Sequence, residues 1–275
     1  MRITSPARNT VFTIDHTPKW PSVVFETDAT GPHVWRWTIS WGHFKKAGRA
    51  ETDGPSWDAS EMIQDLGGTL VVRATAGIKS ANGSVKIIGE NPGEGEVETH
   101  VKAQADSDGF DKIVVHESKG RHFNKRGEPI KSFDNGYGLC QLTTPVPKYD
   151  EVWNWQHNIA AGLKLFGKKR DAAIAYLSQD KRTYTADQLK YETVCRWNGG
   201  SYHEWDSKAS AWVRKSGILC DSKTGNIGWD TSLKANAGKT EVELHKRDSG
   251  SYSAPPGKGA EWKYSGVCYA DALLG

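Results

Sequence analysis

Between Val34 and Trp41 the chain reads Val-Trp-Arg-Trp-Thr-Ile-Ser-Trp. Successive side chains of a strand leave opposite faces, so this order gathers Trp35, Trp37, Ile39 and Trp41 on one side and Arg36, Thr38 and Ser40 on the other. Residues 68–76, Gly-Thr-Leu-Val-Val-Arg-Ala-Thr-Ala, have the same strand character. Together with 10–16, 21–29 and 83–89 they form short segments rich in Val, Ile, Thr and Trp, separated by Gly, Pro and Asp turns.

Strands at this spacing predict a β-sandwich of the immunoglobulin-like kind over residues 1–92. Gly89-Glu90-Asn91-Pro92-Gly93-Glu94-Gly95 opens a linker, taken over 93–105, and 106–275 form a second domain. A length of 275 residues accommodates two domains, and 37% hydrophobic with 25% charged residues is ordinary globular composition. The N-terminal part holds no catalytic constellation.

The second domain reads as mainly helical. In residues 107–118, Ser-Asp-Gly-Phe-Asp-Lys-Ile-Val-Val-His-Glu-Ser, the positions Phe110, Ile113, Val114 and Glu117 share one helical face. A carboxyl at the end of an apolar stripe is partly desolvated, the setting a general acid needs; the plainer reading is a solvated helix end. Further on come Phe133-Asp134-Asn135-Gly136-Tyr137-Gly138-Leu139-Cys140-Gln141-Leu142. Glycines around Tyr137 let backbone approach a ligand, and Gln141 offers a donor and an acceptor, although Gly-x-Gly also occurs in ordinary hairpins. A helix is expected from about Trp155 to Ser178, broken near Gly167. Another opens on the capping box Thr185-Ala186-Asp187-Gln188 and stops at Gly199-Gly200, which puts Asn198 at a helix end.

His116-Glu117-Ser118, then Gly136-Tyr137-Gly138-Leu139-Cys140-Gln141-Leu142, then Arg196-Trp197-Asn198-Gly199-Gly200 resembles the lysozyme-like superfamily, in particular goose-type lysozymes and soluble lytic transglycosylases. The resemblance covers roughly residues 105–205. It departs at Cys140, where the family usually has methionine, and at Trp197, where it usually has tyrosine. It implies a lysozyme-like domain over 106–275 with a C-terminal extension. The implied activity is cleavage of the β-1,4 bond between N-acetylmuramic acid and N-acetylglucosamine in peptidoglycan strands. Glu117 is then the catalytic acid, Tyr137, Gly138 and Gln141 line the cleft, and Asn198, with Trp197 beside it, contacts substrate. Tyr202, Trp153, Trp155 and Trp205 are further candidates for substrate-binding cleft walls, drawn from a chain with twelve tryptophans and nine tyrosines.

Glycoside hydrolases pair the acid with a second carboxylate, for which Asp134 is the nearest candidate; a turn-forming aspartate is the alternative. Water orientation by Asp134 would make the chain a muramidase, the reading preferred from sequence. Without it, a lytic transglycosylase leaving 1,6-anhydro ends is the alternative, with chitin cleavage and a catalytically dead glycan-binding module as further ones.

Four cysteines, Cys140, Cys195, Cys220 and Cys268, include no Cys-x-x-Cys pair, so zinc is not expected; His100, His116 and His122 lack a ligand spacing, and no other metal and no cofactor is expected. Cys220–Cys268 would tie down the C-terminal segment if oxidised; four buried thiols are the alternative. Residues 217–230 look like ordered loop and short strand, and their Asp and Asn spacing does not match a calcium loop. A net charge of +3 is too weak to imply nucleic acid, and no apolar stretch predicts a signal peptide or membrane insertion. The expectation is therefore an antibacterial effector, delivered by a type VI-like secretion spike or a phage tail that the N-terminal domain binds. It would act in the periplasm or cell wall of a target bacterium, with a cognate immunity protein in the producer.

Overall fold

The computed structural model describes residues 1–93 and 95–275; Glu94, inside the expected linker, lies outside the described residues. The chain divides into two compact, discontinuous units: Met1–Val101 with Glu117–Gly162, and Lys102–His116 with Leu163–Gly275.

In the first unit the strands are β1 (Ile3–Ser5), β2 (Val11–Ile14), β3 (Val24–Thr27), β4 (His33–Trp41), β5 (Phe44–Thr52), β6 (Ser56–Asp58), β7 (Gly68–Ala76) and β8 (Lys79–Gly89). Five form one sheet in the order β2-β8-β7-β4-β5, in which β2 runs parallel to β8 and every other pair is antiparallel. The alternation in β4 sets which face is buried: His33, Trp35, Trp37 and Ile39 are enclosed, and Arg36 is exposed. Trp35 meets Trp57, which also stacks on Phe25, so the small antiparallel sheet β1-β3-β6 covers one end of this face. The other end is covered by Phe123, Tyr137 and Trp153, with Trp41 edge-on to both Tyr137 and Trp153. Helix α1 (Glu96–Lys102) occupies part of the expected 93–105 linker.

These contacts correct the expected fold. The described residues are mixed α and β, 30% helix and 27% strand with four sheets, and form neither an immunoglobulin-like sandwich nor a mainly helical domain after it. A sandwich needs two extensive sheets face to face. Here the second sheet has strands of three or four residues, and the rest of the apolar face is closed by the 117–162 segment.

Four helices follow in chain order, α2 (Phe110–Ser118), α3 (Tyr149–Trp153), α4 (Trp155–Leu177) and α5 (Ala186–Asn198). Asn154 caps α4 by accepting from the amides of Gln156 and His157 (2.9 and 3.2 Å), and the helix runs through Gly167 without a break. Helix α5 starts on the anticipated capping box, Thr185 with Gln188, and stops at Gly199, whose φ of 107° is a left-handed value.

The second unit continues with the hairpin β9 (His203–Asp206) and β10 (Ala211–Arg214), then β11 (Ile218–Cys220), β12 (Ile227–Asp230), α6 (Glu241–Asp248), β13 (Trp262–Tyr264) and α7 (Gly266–Leu274). The C-terminal region is thus an ordered three-stranded sheet, β11-β12-β13, with its own core of Ile227, Trp229, Leu244 and Trp262. Cys220 and Cys268 form a disulfide between β11 and α7, whereas Cys140 and Cys195 are buried free thiols. The bridge spans 48 residues of sequence. Reducing it, or replacing both cysteines by serine, should cost the protein about 2–4 kcal/mol of stability. Chemical denaturation with and without reductant measures this, and equal midpoints would contradict it. No helix among the described residues is long and apolar enough to cross a membrane.

Candidate functional site

Helix α2 displays the anticipated stripe: Phe110, Ile113 and Val114 are fully buried, while Val115 and His116 are exposed. Glu117, half-buried, lies in the first unit at the end of this helix. Its negative charge reaches Cys140: burial, reinforced by Glu117, pushes the Cys140 thiol well above the usual thiol range. The structure therefore brings the Glu117 carboxyl within electrostatic range of the 136–142 loop.

That loop is held by side chains the sequence did not single out for it. His122 and Asn158 are both fully buried. The His122 Nε2 lies 2.8 Å from the Val152 carbonyl, and the Leu139 amide donates to Nδ1 at 3.3 Å. Burial lowers the His122 pKa to about 4, so the ring is neutral at ordinary pH. One tautomer, with the proton on Nε2, satisfies both contacts. Asn158 accepts from the Cys140 amide (2.9 Å) and donates to the carbonyls of Tyr137 (3.2 Å) and Glu151 (3.0 Å). Tyr137 and Leu142 exchange backbone hydrogen bonds, and the Gly138 amide donates to Ile130. With its polar backbone paired in this way, the loop is a rigid, largely buried segment in which Gln141 alone is half-exposed.

Gly138 is where this packing demands glycine. Its φ is +70°, and a Cβ there would lie 2.5 Å from the His122 ring and 2.8 Å from the Asn158 amide. Both neighbours are themselves pinned. Gly138→Ala should therefore cost about 1–3 kcal/mol and displace the loop. Thermal melting together with amide exchange at Leu139 and Cys140 checks this; wild-type melting and protection would contradict it.

The other anticipated residues fall as follows. Tyr137 is 2% exposed and turns its ring to Trp41, Phe44 and His43, so its side chain is a core element of the first unit. Gln141 is half-buried in a left-handed conformation (φ 47°), and its Nε2 donates back to the Gly138 carbonyl at 2.6 Å. Asp134 is exposed and accepts from the Ser132 hydroxyl, which also receives the Gly136 amide at 2.8 Å, so its carboxylate belongs to a local turn. At that turn Phe133 is 90% exposed, a bare aromatic face whose only sequence signal is its place inside a polar turn. Trp153 and Trp155 are core residues, 0% and 1% exposed.

Trp197, Asn198 and Tyr202 belong to the second unit. Trp197 is half-buried against Phe110 and Phe166 (centroids at 5.5 and 6.4 Å). Tyr202 is 7% exposed, and its hydroxyl donates to Asp271 at 2.6 Å. Trp205 lies half-buried beneath the Arg182 guanidinium, 4.5 Å from its centroid. Asn198 is exposed at the end of α5 and opens on a pocket of about 320 Å³, whose lining includes Gly199, Gly200, Lys215, Lys263 and Tyr264.

The turn bearing Asn198 is fixed by Glu192, fully buried on α5. One of its oxygens receives the amides of Tyr202 (2.9 Å) and His203 (3.0 Å) and faces His203 Nδ1 at 3.1 Å; the other lies 2.8 Å from the Arg196 guanidinium. Among the described residues no cluster of His, Cys, Asp and Glu is arranged to hold a metal. Compared with known proteins, the chain matches no family model and no curated protein.

Proposed function

We propose that this protein cleaves the β-1,4 bond between N-acetylmuramic acid and N-acetylglucosamine in peptidoglycan, with Glu117 donating the proton to the leaving oxygen. The observation that carries this reading is the half-buried Glu117 carboxyl within electrostatic range of Cys140, in a loop locked by His122 and Asn158. An acid catalyst must sit close to a surface that fixes the sugar, because small misplacements are costly. The resemblance of His116-Glu117-Ser118 and Gly136–Leu142 to the lysozyme-like motifs supplies the substrate class.

One observation favours a lytic transglycosylase as a second reading of the same site. The Asp134 carboxylate accepts from Ser132 within its own exposed turn, a structural role that leaves the second step to the substrate's own acetamido and 6-hydroxyl groups. In that case the glycosyl bond breaks with proton transfer from Glu117 to the leaving oxygen, and the sugar's 6-oxygen closes on the anomeric carbon as its proton passes to the Glu117 carboxylate, which restores the acid. Release of soluble fragments from purified cell-wall sacculi by the wild type and by Glu117→Gln tests the proposal. Release by the wild type alone is expected; no release by either protein would leave the chain as a glycan-binding module.

A further inference from the structure

The pocket beside Asn198 has a lining that a neutral glycan does not require. Lys215 and Lys263 both line it, and no carboxylate among the described residues does. Lys215 Nζ lies 2.5 Å from the hydroxyl of Ser201, another lining residue, which holds the ammonium in place. Lys263 is exposed and stands 3.8 Å from Asp230, a loose pair that a closer carboxylate can displace. Tyr264, 45% exposed, adds an open aromatic face. Gly199 and Gly200 leave more than 4 Å free where a side chain would begin, so backbone is accessible there too. A volume of about 320 Å³ lies at the small end for ligand pockets and suits a dipeptide-sized group.

We propose that this pocket binds the carboxylate-bearing stem peptide attached to muramic acid, with Lys215 and Lys263 neutralising its carboxylates and the Asn198 amide hydrogen-bonding its peptide. The assignment rests on the peptidoglycan reading above and makes it more specific. Chitin presents the same β-1,4-linked N-acetyl sugars without any peptide or charge, so a pair of lysines at this pocket discriminates between the two polymers. Both lysines lie outside the motifs that carry the lysozyme-like resemblance: Lys215 follows β10, and Lys263 sits on β13 in the C-terminal sheet.

Binding to the full chain is measured by titration calorimetry with three probes: N-acetylmuramyl-L-alanyl-D-glutamate, the neutral N-acetylglucosamine dimer, and inorganic phosphate. The muramyl dipeptide should bind the wild type, more weakly as salt rises. In Lys215→Gln/Lys263→Gln its affinity should fall by about tenfold or more, the consequence of losing charge-assisted hydrogen bonds. Binding of the neutral dimer should be the same in both proteins. The single variant Lys263→Gln, at an exposed side chain, should show part of the loss and covers the case in which the double variant does not fold. Equal dipeptide affinity in all forms, no dipeptide binding to the wild type, or lysine-dependent binding of phosphate alone would each overturn the proposal. Binding is read without turnover, so the two readings fail separately. A chain that binds the dipeptide through the lysines yet leaves sacculi intact keeps this pocket and loses the glycosidase; one that cleaves sacculi with lysine-independent dipeptide binding does the reverse.

Discussion

Glu117→Gln is expected to lower the rate of glycan cleavage by about 10²–10⁴-fold, the range over which a positioned general acid acts, while stability changes by less than about 1 kcal/mol. Glutamine has nearly the shape of glutamate, so the half-buried position at the end of α2 accepts it without a cavity. What the amide lacks is a proton to give to a departing alkoxide. Glu117→Asp keeps the acid but withdraws it by one methylene, and a displacement near 1 Å is sufficient for a loss on the order of 10²-fold. Parallel assays on sacculi with thermal melts measure both effects. A Glu117→Gln protein that melts normally and cleaves at the wild-type rate would contradict the assignment. Gly138→Ala differs in kind, since it moves the loop and lowers stability together.

Glu192→Gln should be the most destabilising of the conservative changes considered, by about 3–5 kcal/mol, because it leaves the Arg196 guanidinium without its buried carboxylate. Two backbone amides, those of Tyr202 and His203, also lose their charged acceptor. The same group makes stability depend on pH. Burial raises the Glu192 pKa, but hydrogen bonds from His203 and Tyr202 and the charge of Arg196 outweigh it and hold the carboxyl below its ordinary value of 4.5. Asp248 is lowered in the same way: burial is outweighed by hydrogen bonds from Arg247 and Trp229. A depressed folded-state pKa means that the unfolded chain takes up the proton first. The stabilisation is then complete above the ordinary carboxylate range and is lost as pH falls through it toward the folded-state values. Denaturant unfolding between pH 7 and pH 3 should show a steeper acid-side loss for the wild type than for Glu192→Gln. Parallel curves would count against Glu192 as the anchor of the 199–203 turn.

The strands of β4 and β7 were legible because one of their faces is buried, which imposes period two on the sequence. Strand β5 was not: Phe-Lys-Lys-Ala-Gly-Arg-Ala-Glu-Thr lies at the edge of the sheet, where charge wards off further pairing and erases the apolar pattern. The capping box at Thr185 and the glycine stop after Asn198 were readable since each solves a local hydrogen-bonding problem at a helix end. The sandwich expectation failed on a tertiary fact, namely which segment covers the sheet. Nothing local in Phe123, Tyr137 or Trp153 announces that they close a face built from residues 33–89. For the same reason Tyr137 reads as a ligand-facing aromatic between glycines but is a core residue. The scaffold role of His122 and Asn158 was not legible because a buried polar scaffold is defined by its partners, most of which lie 17–30 residues away.

Mass spectrometry of muropeptides released by the wild type and by Glu117→Gln tests the central claim most directly. Wild-type digests should contain new glycan ends, 1,6-anhydromuramic acid if Asp134 serves only its turn and reducing muramic acid if it orients water, and Glu117→Gln digests should contain neither. Identical glycan ends from both proteins, or none from the wild type, would contradict Glu117 as the proton donor of a peptidoglycan-cleaving enzyme.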